Sequence, residues 1–214
     1  MTKVSKSVKF SHMAQWTRKS ATVRREEIVT AAAELISRRG MSKVSLQQVA
    51  DRAQLSKALI YVHFESKQAL FREVTRASLE APMNRAQSAL KGVGSLEDRA
   101  VEMLICKLGR FYATMSRSEY GSEIIDSANR VAADLIAADR KAYVGLFQRL
   151  FEDGVDAGQL DLCAKSTTPR EVAELVLAAA HGLARNGNSI VSQRVLAQRC
   201  RLLVRTLLAG LRPD

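Results

Sequence analysis

At 214 residues the chain is long enough for one large or two small domains with a real core, and its 47% hydrophobic but only 5% aromatic content, with three prolines, points to helices built from Leu, Ala, Val and Ile. No apolar run of about 18 residues and no signal-peptide pattern appear, which excludes a transmembrane span and makes the chain read as cytoplasmic; Cys106, Cys163 and Cys200 are odd in number and far apart, against a disulfide framework or zinc knuckle. The net charge of +11 is uneven, with 15 Lys/Arg against 7 Asp/Glu in the first 80 residues and 18 against 15 in the rest, so any polyanionic partner meets the N-terminal part.

Residues 1–20 are polar and basic, with Lys3, Lys6, Lys9, Arg18 and Lys19 and no apolar periodicity, as in a flexible extension. The spacing of Ile28, Ala32, Leu35 and Ile36 predicts a helix over 22–39, with Glu26 and Glu27 early, Arg38 and Arg39 late, and Gly40 just beyond its end. Residues 45–67, SLQQVADRAQLSKALIYVHFESK, read as two short helices and the start of a third. Ser45 and Gln48 form a capping-box pair, Leu46, Val49, Ala50 and Ala53 share a face, Gln54-Leu55 makes the turn, and Ser56 caps a second helix that turns Leu59 and Ile60 inward. Lys57, Ala58 and Tyr61 are left outside, and so short a helix, braced by another, suits a DNA major groove.

Ser66 opens a fourth helix with Leu70, Phe71 and Val74 inward, and Pro82 is expected to kink or end it near 78–81. Gly92-Val93-Gly94 is a loop, and Ser95-Leu96-Glu97-Asp98 opens a helix to about residue 116. Further helices are expected near 119–130, 132–157, 169–185 and 190–209. Thr168-Pro169-Arg170-Glu171 is the clearest start signal, while Asn186-Gly187-Asn188 marks an end, with Ser189 as the next cap.

Residues 22–75 resemble the DNA-binding domain of TetR-type (tetracycline-repressor-like) transcription regulators, carried above all by Tyr61-Val62-His63-Phe64-Glu65-Ser66-Lys67-Gln68-Ala69-Leu70. One departure is Gln54, at a turn position where the family commonly has Gly, so a left-handed conformation there falls to a non-glycine residue. The resemblance implies an all-α chain in three parts: the extension 1–20, a three-helix helix-turn-helix domain 21–76, and a ligand-binding and dimerisation bundle 77–214. Lys57 is placed to donate to guanine O6/N7 or to a phosphate, and Ala58 to meet a thymine methyl or serve as a spacer. Gln47 resembles a position that reaches backbone or base edge; Tyr61, His63 and Lys67 match phosphate-binding positions, and the caps Ser45 and Ser56 join them.

In the bundle, Met103, Phe111, Tyr112, Tyr143 and Phe147 offer apolar walls, with Asn129, Arg130 and His181 as polar anchors; each also fits an ordinary core or solvated face. Val172, Leu175, Val176, Ala179 and Leu183, with Val195, Leu202 and Leu203, recur at helical spacing and are candidates for a dimer seam, the alternative being closure of the chain's own core. No nucleophile-elbow motif and no Gly-rich phosphate loop is present, His63 has no second ligand at metal spacing, and no cofactor or metal is expected. The sequence therefore reads as a non-enzymatic regulator, most simply a homodimeric repressor that binds a roughly palindromic double-stranded operator and is released by a mostly apolar small molecule. An activator, a regulator without a ligand, and a helical carrier or thiol-based redox sensor remain the alternatives.

Overall fold

Side-chain caps start seven of the nine helices in the computed structural model, which describes residues 20–186 and 189–213. The expected extension therefore lies, up to residue 19, outside the described residues. The helices are α1 (Ala21–Arg39), α2 (Leu46–Ala53), α3 (Lys57–His63), α4 (Lys67–Lys91), α5 (Leu96–Arg117), α6 (Gly121–Val131), α7 (Ala133–Asp156), α8 (Pro169–Leu183) and α9 (Gln193–Gly210). Both capping boxes form: Ser45 with Gln48, and Thr168 with Glu171 behind Pro169 at the first helical position. Gln54 does adopt the left-handed conformation, at φ 57° and ψ 43°, and its N–H together with that of Leu55 closes the end of α2.

Two expectations are corrected. Pro82 neither ends α4 nor stops its packing. It removes one backbone donor, but the helix runs on to Lys91 because its second half lies along α5, burying Ala86 and packing Met83, Ala89 and Leu90 on the bundle core. Ser189 does not cap the last helix either. It pairs with Asn186 in a two-residue antiparallel ladder of β1 (Arg185–Asn186) and β2 (Ser189–Ile190), and the cap falls to Ser192, whose hydroxyl accepts the Val195 N–H. Apart from that ladder the described chain is all-α.

Apolar side chains gather into two cores. One, under α1–α3, contains Ile28, Ala32, Ile36, Val44, Val49, Ile60, Phe64, Leu70 and Phe71. The other fills α5 and α7–α9 around Leu104, Tyr143, Phe147, Phe151, Leu177 and Val204. Helix α4 serves both, beginning with Leu70 in the first and reaching Ala86 in the second. Helix α6 crosses over as well: its Ala128 is buried in the N-terminal core although it follows α5 in the chain.

The contact between the two parts also fixes Gly40. Its φ is +78°, and a Cβ there would lie 2.6 Å from the Glu123 Oε2 of α6. Both the backbone and the neighbour demand glycine. Gly40→Ala is expected to destabilise the fold by about 1–2 kcal/mol, a fall in Tm of roughly 2–8 °C for a chain of this size. A calorimetric melt at pH 7 checks this.

Candidate nucleic-acid interface and the cavity behind it

The outer surface of α2 and α3 is polar and basic because their apolar residues face α1 and α4. Lys57 and Ala58 are exposed in the first turn of α3, and Tyr61 is exposed one turn on. Lys57 has no ion-pair partner among the described residues. Gln47 is exposed and donates to the Asp51 carboxylate at 2.8 Å, so a DNA contact requires that bond to be exchanged. Ser45 and Ser56 use their hydroxyl oxygens as caps, for Gln48 N and Leu59 N, and keep their O–H hydrogens as donors.

The corner between α3 and α4 is braced by a residue that sequence reasoning missed. Arg25 stacks on the Phe64 ring at 4.2 Å, donates to the His63 carbonyl at 2.7 Å and pairs with Glu73 at 3.4 Å. Arg25, Tyr61, His63 and Glu65 line one shallow cleft beside α3. Lys67 is half-buried, and its ammonium donates to the Ser42 carbonyl at 3.2 Å while lying over the Phe71 ring. One of its three hydrogens is thus engaged in tying α4 to the loop after α1.

The candidate pocket residues separate. A cavity of about 300 Å³ lies between α4, α5, α6 and α7, lined by Leu79, Pro82, Leu108, Ile124, Ile125 and Ile136 on its apolar side and by Lys107, Asp139, Asn129 and Tyr143 on its polar side. Of the expected set, Tyr143 and Asn129 line it. Met103 and Phe147 do not, because they are packed into the bundle core, and Arg130 is held outside by a 2.8 Å bond to the Ser127 hydroxyl. The side chains of Phe111, Tyr112 and His181 lie outside the described residues.

Lys107 and Asp139 were also missed. They form a largely buried pair at 2.5 Å, with the Lys107 ammonium 4.7 Å from the centre of the Tyr143 ring. A lysine and an aspartate inside otherwise apolar helical stripes were the readable signal, since buried charges demand partners. The Tyr143 hydroxyl is buried with no hydrogen-bond partner among the described residues, and burial, then the Asp139 charge, pushes its ionisation upward. Such an unsatisfied group costs about 1–3 kcal/mol.

A second cavity, of about 370 Å³, sits at the junction of the two parts. It is lined by Ala33, Ile36, Ser37 and Met41 from the N-terminal side, Val74, Thr75 and Ser78 of α4, and Thr114, Ser118, Ile124 and Ala128. Beside it the Glu123 carboxylate accepts the backbone N–H groups of Met41 at 2.7 Å and Ser42 at 3.0 Å, and the Ser127 hydroxyl at 2.9 Å. Arg72 of α4 grips Asp134 with both guanidinium nitrogens and reaches the Val131 carbonyl.

Cys106 and Cys200 are buried and their thiols are pushed up to about 11, by desolvation first in both and by Glu102 as well in Cys106. Both are therefore almost wholly protonated at neutral pH, which removes the basis for sensing oxidants through them. The expected dimer seam is also divided. Val172 and Val176 face inward, 3% and 1% exposed, and belong to the chain's own core. Leu183, Val195 and Leu203 are partly covered by it, whereas Leu175 and Leu202 stand 58% and 66% exposed, with Ala179 beside Leu175 on the outer face. A helical stripe gave the period without saying which flank faced inward. No described helix is long and apolar enough to cross a membrane.

Residues 28–74 match the model of the family described as bacterial regulatory proteins, tetR family. The transcriptional regulator AcrR of Shigella flexneri is 36% identical over 66 residues, 31% of each chain, so that match spans under a third of its length. The transcriptional repressor KstR2 of Mycolicibacterium smegmatis is 28% identical over 163 residues, 70% of this chain and 76% of the other. A solved transcriptional regulator from Cytophaga hutchinsonii superposes with a TM-score of 0.71 at 16% identity, covering 88% of this chain and 98% of its own, a likeness of fold.

Burial alone would raise the Glu123 carboxyl, but the Met41 and Ser42 amides and the Ser127 hydroxyl more than offset it and hold the group below its ordinary 4.5. Since the folded value lies below the unfolded one, the stabilisation is complete above about pH 4.5 and is lost as the pH falls through the folded value. Glu123→Gln keeps the shape and removes the charge. It is expected to cost about 1 kcal/mol at pH 7, and its melting difference from wild type should narrow steadily in scans below pH 4.5.

Proposed function

We propose that this chain, whose residues 28–74 match the model of the tetR family of bacterial regulatory proteins, represses transcription as a homodimer whose operator affinity falls when a mostly apolar small molecule fills the cavity behind its DNA-binding unit. The observation that carries the reading is α6. Its Ile124, Ile125, Ala128 and Asn129 line the cavity, while its Glu123 grips the loop between α1 and α2. A ligand that displaces α6 therefore pulls directly on the helix-turn-helix unit, and α4, lining both cavities, carries the same displacement into the corner that holds α3.

Differential affinity sets the demand on such a ligand. Turning an almost fully binding-competent population into an almost fully incompetent one takes a preference of about 10⁴-fold between the two states, and operator must weaken the ligand by the same factor. A buried site touching four helices can supply that more readily than a surface contact.

On DNA, Lys57 lies where the N-terminal end of a recognition helix meets base edges, and the basic surface supplies phosphate contacts. Titrations against the DNA flanking the protein's own gene, at several salt concentrations, test this. Lys57→Ala should weaken specific binding by about 1–3 kcal/mol while changing random-sequence DNA far less. Lys67→Ala should weaken both and flatten the salt slope by about one. Equal losses on specific and random DNA for Lys57→Ala contradict base reading.

The exposed side of α8 and α9 supports a two-fold seam, with Leu175, Ala179 and Leu202 at its centre, which would match a palindromic operator. Leu175→Arg combined with Leu202→Arg should give a folded monomer in sedimentation. An unchanged sedimentation coefficient would place the interface elsewhere.

A further inference from the structure

We infer that the effector is a single-chain neutral amphiphile that occupies both cavities at once, its hydrogen-bonding head beside Tyr143 and its alkyl tail threaded past α6 into the junction between the two parts of the chain. This rests on the effector reading above and specifies the ligand it requires.

Three residues, Thr114, Ile124 and Ala128, line both cavities. The two spaces thus share one turn of α6 and one α5 side chain as a common wall. Their chemistry differs in a way that assigns head and tail. Ser37, Thr75, Ser78, Thr114 and Ser118 all put hydroxyls on the lining of the junction cavity, but three of them already donate to helix carbonyls: Ser37 to Glu34, Thr75 to Phe71 and Ser78 to Thr75. What remains for a ligand there is mainly the apolar surface of Ala33, Ile36, Met41, Val74, Ile124 and Ala128.

The cavity behind α6 has the opposite character at one end. The Tyr143 hydroxyl has no partner among the described residues, and Asn129 offers a carboxamide on the same lining. A head that accepts from Tyr143 repairs an existing deficit, which costs the ligand little desolvation in return. Lys107 and Asp139 decide the charge of that head. They neutralise each other at 2.5 Å, so a carboxylate or an amine entering beside them would bring an uncompensated charge into a space walled by Leu79, Leu108, Ile125 and Ile136. An alcohol or amide brings none.

Tail length then becomes the regulatory variable. A short ligand fills the first cavity only, whereas a longer one also enters between α1 and α4, where Ile36 and Val74 belong to or pack on the core that holds the recognition helix. The chemistry selects for a class of ligand, straight-chain and uncharged, without naming a compound.

Calorimetric titration of the full chain with 1-hexanol, 1-octanol, 1-decanol and 1-dodecanol tests this, with the sodium alkanoates of equal length as charged controls. Affinity should rise by about fourfold per methylene through the series, and each alkanoate should bind at least tenfold more weakly than its alcohol. Tyr143→Phe should weaken every alcohol by a similar factor. Ala33→Trp and Ser37→Phe, two exposed substitutions at the solvent-side mouth of the junction cavity, should each reduce 1-dodecanol toward the affinity of 1-hexanol and leave 1-hexanol unchanged. Binding of 1-hexanol with no gain from added length, or length dependence untouched by both mouth variants, overturns the two-cavity ligand while leaving the effector reading in place. Tighter binding of the alkanoates overturns the neutral head. Absence of heat with every alcohol overturns this inference together with the apolar-effector reading.

Discussion

One carboxylate holds the two parts of this protein in register. Glu123 sits in the first turn of α6 and accepts two consecutive backbone N–H groups, from Met41 and Ser42 in the loop between α1 and α2. A carboxylate can satisfy two such donors at once, and a backbone donor cannot be removed by rotating a side chain away. Gly40 is the complement of that grip: only glycine allows the loop to pass so close to the acid in a left-handed conformation. With the clasp formed, α6 is simultaneously a wall of the cavity and a handle on the helix-turn-helix unit. Arg72 and Asp134 repeat the arrangement between α4 and the start of α7, so a second charge-assisted bond ties α4 to the C-terminal helices.

The remaining architecture follows from that constraint. Two separate apolar cores would ordinarily move as independent bodies, yet here α4 is shared and Ala128 of α6 is buried in the N-terminal core. The cavities lie where such packing is least complete, on either side of α6. The polar groups of the first cavity carry an unsatisfied hydroxyl and a mutually neutralised ion pair, whereas in the second the Ser37, Thr75 and Ser78 hydroxyls already donate to helix carbonyls. On the proposed reading, loose packing at a shared helix is where occupancy would be converted into motion, because close-packed cores respond by switching between arrangements and resist continuous deformation.

Local chemistry was legible in the sequence and distant pairing was not. Ser45 with Gln48, Thr168 with Pro169 and Glu171, and the left-handed demand on Gln54 each involve residues within four positions, and each formed as read. Pro82 misled because helix propensity was outweighed by packing along α5, and Ser189 misled because Ser192, three residues on, offers the same capping chemistry. The outward surface of α3 followed from its apolar period, but Arg25 could not be placed there without the fold, since it meets His63 across 38 residues. Met103 and Phe147 were indistinguishable from cavity walls by composition, and only three-dimensional packing separates them from Tyr143. Glu123 lies 82 positions from Met41, and nothing near either residue announces the other.

The central claim is that the Met41 and Ser42 amides are held by α6 and released when the cavity is filled. Amide hydrogen exchange measured by NMR, at neutral pH, with and without 1-dodecanol, tests it at the bonds themselves. Protection of both amides comparable to that of the first turns of α2 in the free protein, falling selectively at Met41 and Ser42 on addition of the alcohol, is the predicted result. Exchange at these two amides as fast as in an unstructured loop, or protection unchanged while the alcohol is bound, would contradict it.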